Sequence, residues 1–204
     1  MDGDGTSKSI IVPIIDDSVV EGPENFSVTL SNPTGGAVLD STKSNIVVTI
    51  NDNDSSLQFS QAIYVVGEDQ PFVTVTVQRS GGPLGALSVQ LYTADPSSPV
   101  GAFATAGAPT VNPTTGDYGA ILPGSPAVLS WLSGDSSPKS TNIFIVNDAL
   151  VEPTEYFEVR LQNVTGPAVL GVQSTALVQI NDNDNEIGFV GLPYTVYETN
   201  STVT

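Results

Sequence analysis

An all-β fold is predicted for this chain: an immunoglobulin-like antiparallel β-sandwich, with one complete domain flanked by partial tandem repeats. Apolar and polar residues alternate with a period of two over residues 72–77, 87–91, 157–161 and 176–180, the signature of half-buried strands. Turn formers separate such runs, among them Ser80-Gly81-Gly82-Pro83, Leu122-Pro123-Gly124 and Ser137-Pro138, and no window carries a helical stripe. The chain also repeats itself, so one fold assignment covers most of its 204 residues.

The repeat sets the domain organisation. At an offset of 131, residues 3–39 face 134–170 with 18 identities in 37 positions counted on the sequence, where chance gives about two or three. One residue is then lost, and Ile50-Asn51-Asp52-Asn53-Asp54 returns as Ile180-Asn181-Asp182-Asn183-Asp184. Beyond it the offset is 130, and Phe59, Tyr64 and Glu68 face Phe189, Tyr194 and Glu198. The expected units are therefore 1–54, the C-terminal part of a first repeat without its opening strands; 55–184, a complete domain; and 185–204, the first strand of a third. A unit of about 130 residues is a domain rather than a solenoid rung. Seven or so strands in that length suit a sandwich, although the Cys pair of antibody domains is missing. Residues 95–115, rich in Ala, Gly, Pro, Ser and Thr, fit no strand pattern and read as a tolerated insertion between strands in preference to a binding loop. Ser55-Ser56 reads as a connector too short to give successive domains much freedom.

Composition narrows the function. There are 22 acidic residues against 5 basic ones, a net charge of −17, and neither Cys nor His. Disulfide scaffolds, His/Cys zinc or haem sites and Ser-His or Cys-His hydrolases are excluded. Phosphate recognition needs clustered cations, whereas Lys8, Lys43, Arg79, Lys139 and Arg160 are scattered. So acidic a chain fits divalent cations, or simply a solubilising surface. No run approaches the ~20 apolar residues of a membrane span. Asp2-Gly3-Asp4-Gly5 follows Met1 instead of a signal region, so an export signal is expected to lie outside this chain.

The carboxylates collect where strands are expected to stop. Asp16-Asp17 and Asp148 follow apolar runs, with Glu21 or Glu152 four residues after Asp17 or Asp148 and Glu24 or Glu155 three further on; 51–54 and 181–184 close two more runs. Alternate Asp residues in an irregular segment can turn oxygens to one side while Asn and backbone carbonyls add neutral ligands, as calcium loops outside the EF-hand class require. Without a cation, several carboxylates at one tip repel. Turn residues bonding their own backbone account for single Asp and Asn positions only.

These residues carry a family resemblance. The order Ile-Asp-Asp-x-x-x-Glu-x-x-Glu-x-Phe-x-Val-x-Leu-x-Asn-Pro-x-Gly-Gly-Ala-x-Leu over 15–39, closing on Val-x-Ile-Asn-Asp-x-Asp, resembles the Calx-beta repeat. The middle unit adds Tyr64-x-Val-x-Glu68 and Gly116-Asp117-Tyr118. The resemblance implies a seven-stranded sandwich that binds calcium at the tip where its last strand ends, near the junction with the next domain. Carried over by position, the implied ligands are Glu68, Asp117, Asp148, Glu152, Asp182 and Asp184, with Glu155 an additional candidate. In the first repeat they are Asp16, Asp17, Glu21, Asp52 and Asp54, and the third contributes Glu198. Asn147 and Asn183 stand where the family usually has acids, which implies fewer ions or weaker binding, since an amide brings no charge. The segment from Asn51 through Glu68 is also similar to a cadherin junction, which would equally place calcium between domains.

The resulting expectation is a non-catalytic, calcium-binding tandem module that rigidifies an extended extracellular or cell-surface array for adhesion or matrix contacts. Its partners would be calcium, the neighbouring repeats, and a cell-surface or matrix protein or glycan. Alternatives are a calcium-sensing regulatory module of a larger protein, a cadherin-like adhesion repeat, or a calcium-free spacer. A glycosidase with paired carboxylates is disfavoured, because these acids cluster at a tip rather than across a cleft. Asp4 and Asp135 read as turn residues, Trp131 as a core residue, and Asn25, Asn163 and Asn200 as acceptors only in a eukaryotic secretory pathway.

Overall fold

The computed structural model describes residues 5–98, 101–109 and 115–188. The Asp4 turn, the third-repeat strand with Glu198 and the Asn200 acceptor lie outside the described residues. Within 5–54 two strands form, β1 (Glu24–Thr29) and β2 (Asn45–Ile50). The remaining strands are β3 (Ser55–Phe59), β4 (Ile63–Gly67), β5 (Phe72–Gly81), β6 (Leu87–Ala94), β7 (Ala102–Phe103), β8 (Ala106–Gly107), β9 (Tyr118–Gly119), β10 (Ala127–Trp131), β11 (Lys139–Phe144), β12 (Glu155–Thr165), β13 (Ala168–Leu170) and β14 (Thr175–Asn181). The four runs read as strands from their alternation lie inside β5, β6, β12 and β14. No described residue is helical.

Two sheets face each other across one core. One runs β10-β6-β12-β14-β4 with β7 added to β12; the other runs β11-β5-β3-β13. Alternation decides which side chains enter: in β6, Leu87, Val89 and Leu91 are buried, and in β5, Val73, Val75 and Val77. Phe59, Tyr118, Trp131, Phe157, Val159 and Val178 complete the centre. Tyr118 stacks on Phe157 with ring centroids 3.9 Å apart, and burial pushes its phenol up to about 12. Trp131 is a core residue as expected, its indole N–H donating to the Ser137 carbonyl at 2.7 Å.

The strand that opens the sandwich changes sheets. β3 pairs antiparallel with β5, while β4 pairs parallel with β14. Ser55-Ser56 is thus no connector: both residues belong to β3, and Ser55 is fully buried. Arg79 explains why. Its guanidinium donates to Ser55 Oγ and to the carbonyls of Gly82, Leu84 and Asp135 at 2.9–3.0 Å, binding the entry of the chain to the Gly81–Gly85 turn. Gly82 N–H donates to Asp54 O at 2.7 Å, and a Cβ at Gly82 would collide with the Asp52 carbonyl, so the acidic loop 51–54 packs directly on this turn. Asp135 is the expected turn residue, accepting from Ser137 and Lys139; those donors hold its carboxyl well below the usual range.

β5, ten residues and about 30 Å long, spans the sandwich from end to end. One end carries Asp54 and Ser55. The other carries Gly67, Asn181 and the loops that follow them.

Candidate metal centre

At that second end, β4 and β14 deliver their last residues side by side. Glu68 N–H donates to the Asn181 carbonyl at 2.9 Å, which sets the Glu68 side chain beside the 182–184 loop. Asp182 organises that loop, its Oδ1 accepting from Asp184 N–H and its Oδ2 from Glu152 N–H, both at 2.9 Å. Asp148 N–H donates to Glu68 Oε1 at 2.9 Å, and Asp148 Oδ1 accepts from Leu150 N–H at 2.7 Å.

Asp117 arrives by a different route. The segment expected to be an idle insertion supplies β7, parallel to β12, and β8, parallel to β9. Asp117 N–H donates to the Thr105 carbonyl at 2.8 Å, and Thr105 N–H donates back to the Asp117 carboxylate. The insertion therefore positions a carboxylate of the candidate site, a role its composition did not signal.

Six acids converge as two triplets. Glu68, Asp182 and Asp184 each present an oxygen within 4.8 Å of the others', and so do Asp117, Glu152 and Glu155. Glu68, Asp117, Glu152, Glu155 and Asp182 line one small cavity with Val146, Pro153 and Ile180. Asp148 joins neither triplet and lies at their margin, held through Glu68. Glu155 belongs fully to the second triplet.

The electrostatics match the crowding. Burial and then Asp117 push the Glu155 carboxyl up to about 8. Burial also raises Glu68, outweighing the Asp148 N–H bond that stabilises its charged form, and the hydrogen bond with Asp182 and the charges of Asp148 and Asp182 add to the rise. Glu152 rises through burial and the charges of Asp117, Asp148 and Asp182. Asp182 moves down, because the N–H groups of Asp184 and Glu152 stabilise its charged form. Three of the chain's cations are engaged elsewhere: Arg79 serves the opposite end, Arg160 pairs with Glu158 at 2.7 Å and Lys139 with Asp135 at 2.7 Å. Among the described residues one buried side-chain oxygen, Asp184 Oδ2, has no hydrogen-bond partner. An orphaned carboxylate oxygen beside two packed acids is what a hard, oxygen-seeking cation would satisfy, so the donor set fits calcium.

The first-repeat acids keep the same local scheme. Asp52 accepts from Glu21 N–H at 2.6 Å and from Asp54 N–H at 2.8 Å, and Asp17 from Val19 N–H at 2.8 Å. Asp16, Asp17, Glu21, Asp52 and Asp54 line an open groove with Val12, Ile14 and Phe26. Glu24 and then burial raise the Glu21 carboxyl; burial and then Asp52 raise Asp54. Among the described residues no triplet of acids forms there.

The Calx-beta domain model matches residues 2–54, 50–102 and 129–184. Over 191 residues the chain is 31% identical to Extracellular matrix protein 3 of Lytechinus variegatus, covering 92% of this chain and 6% of that protein. It is 29% identical over 197 residues to the mouse Extracellular matrix organizing protein FRAS1, covering 96% and 5%. It is 31% identical over 205 residues to the Danio rerio Adhesion G-protein coupled receptor V1, covering 97% and 3%. The chain thus spans only a small fraction of the curated relatives it matches. The crystal structure of the apo-form Calx CBD1 domain superimposes with a TM-score of 0.50 at 24% identity, covering 64% of this chain and 99% of that one, and supports the fold. Domains of this kind are non-catalytic modules. The family model covers well over half of the sequence: the chain belongs to the Calx-beta family.

Proposed function

We propose that the chain is a calcium-binding structural module of an extracellular matrix or adhesion protein, working alongside its neighbouring repeats. The single observation that carries the calcium reading is the pair of acid triplets with the unpartnered Asp184 Oδ2 between strand ends. Glu68, Asp182 and Asp184 would hold one ion and Asp117, Glu152 and Glu155 a second, with Asp148 at the margin. A bound cation supplies positive charge that offsets carboxylate repulsion. The protein's own part is to fix the acids in place through the backbone bonds of Asn181, Glu152, Asp148 and Thr105. Asp16, Asp17, Glu21, Asp52 and Asp54 form the weaker, open site of the first repeat.

Two supports favour the matrix setting. The relatives named above include matrix proteins and an adhesion receptor. Asp54 and Ser55 are packed onto the Arg79 turn with no free linker, as a stiff array requires. The test is the thermal midpoint of the whole chain, after chelation, against calcium and against magnesium. A ligand bound only to the folded state raises the midpoint, so a rise selective for calcium is expected. An unchanged midpoint at millimolar calcium would overturn the metal reading and leave a spacer.

A further inference from the structure

We propose that Tyr156 is a positioning residue: its ring seats residues 101–107 on β12 and so fixes the Asp117 carboxylate, without itself supplying a ligand. The inference rests on the calcium reading of the two acid triplets. In β12, Phe157 and Val159 enter the core, so Tyr156 and Glu158 face outward. Outward side chains of a sandwich strand ordinarily meet water, yet Glu158 is 7% exposed and Tyr156 is half-buried. What covers them is the segment that the sequence marks as an insertion. The Glu158 carboxylate accepts from Ser97 N–H at 3.0 Å and from the Ser97 hydroxyl at 2.8 Å. Gly101 lies against the Tyr156 ring: a Cβ there would stand 2.9 Å from Cε2 and 3.3 Å from Cδ2. Its φ of 140° also favours glycine.

The path from that ring to Asp117 is short. β7 runs parallel to β12 with Ala102 opposite Glu155 and Phe103 opposite Tyr156, and Ala104 N–H donates to the Tyr156 carbonyl at 2.9 Å. Thr105 comes next and holds Asp117 twice: its carbonyl accepts from Asp117 N–H at 2.8 Å, and its N–H donates to the Asp117 carboxylate. Gly116 lets the two strands approach this closely, since a Cβ there would lie 2.6 Å from the Thr105 carbonyl oxygen. Among residues 101–107 only Ala104 is buried, and Phe103, the largest side chain, is 46% exposed. A segment with so little core of its own is easily opened, and takes its position from the surface on which it is laid. Glu155 precedes Tyr156 in β12, so the residue that seats the segment also sets Asp117 against its triplet partner.

Three variants of the full chain test this. Tyr156→Ala removes the ring, Tyr156→Phe keeps it, and Gly101→Ala presses on it from the other side. In chelator, Tyr156→Ala and Gly101→Ala are expected to speed amide exchange at Thr105 and Asp117 several-fold, while the core amides of Val89 and Val159 stay as slow as in the parent. In a calcium titration the same two variants are expected to bind one ion about 10- to 100-fold more weakly, and the other as before. Tyr156→Phe should match the parent in both measurements. Unchanged exchange at Thr105 and Asp117 in Tyr156→Ala would overturn the proposal. So would a rise shared equally by Val89 and Val159, which would make the ring a stability element only. Should Tyr156→Ala fail to fold, Gly101→Ala carries the same comparison. A parent that binds no calcium would overturn the calcium reading, and the exchange rates alone would then decide whether Tyr156 holds Asp117.

Discussion

At one end of the sandwich Asp182 gathers the N–H groups of Glu152 and Asp184; where the first-repeat segment meets β3, Asp52 gathers those of Glu21 and Asp54. Both loops are written by the same local motif and fold the same way. Among the described residues only the first gains acids from elsewhere, Glu68 from the end of β4 and Asp117 from the turn before β9, and only there do triplets form. Local sequence therefore makes the loop, while strand pairing over long separations makes the site.

The largest effect expected from this contrast lies in packing. Phe157 is fully buried and Phe26, its counterpart, only half-buried. Phe157→Ala is expected to cost about 3–5 kcal/mol, and Phe26→Ala a small fraction of that, by urea denaturation. Equal losses would mean that the segment 5–54 is covered as fully as the sandwich.

Next comes the ion itself. Calcium at about a hundred times its dissociation constant adds about 2.7 kcal/mol to the folded state. Asp182→Asn is expected to abolish this gain and Asp52→Asn to leave most of it. The reverse order would make the open groove the principal site.

A smaller difference separates two glycines at equivalent positions. Gly35 and Gly166 both have positive φ, 70° and 81°, so Ala at either costs about 1–2 kcal/mol in backbone strain. A Cβ at Gly166 would in addition collide with the Ala86 carbonyl, whereas one at Gly35 meets nothing. Gly166→Ala is therefore expected to lower the thermal midpoint further than Gly35→Ala.

The smallest effect is in pH. Burial raises the Glu158 carboxyl, but hydrogen bonds from Ser97 and Arg160 outweigh it and the net direction is down. A lowered folded value means that Glu158 stabilises above its unfolded range, about 4.3, and that this contribution fades as pH falls through the folded value. Ser27 occupies the equivalent place in the first repeat. Glu158→Gln should flatten the acid limb of stability measured by urea denaturation, and an unchanged acid limb would show the pair to be idle.

Much of this architecture was legible because repeats print their own alignment. Alternation marked β5, β6, β12 and β14, and the carboxylates of 148–155 and 181–184 stood out by position. Glu155 gave less away, since its place depends on which face of β12 turns toward Asp117. The role of 102–107 was hidden altogether: its contribution is a backbone clasp on Asp117, and small residues making main-chain bonds leave no side-chain signal. Ser55-Ser56 misled for a related reason, its burial being decided by Arg79, 24 residues away.

The most direct test of the central claim is a calorimetric titration of calcium into the chelated full chain and its Glu68→Gln variant, with magnesium as control. Selective binding heat in the parent that is lost or greatly weakened in the variant is the predicted result. Heat of equal size and affinity in both, or none in either, would contradict a calcium centre built around Glu68, Asp182 and Asp184.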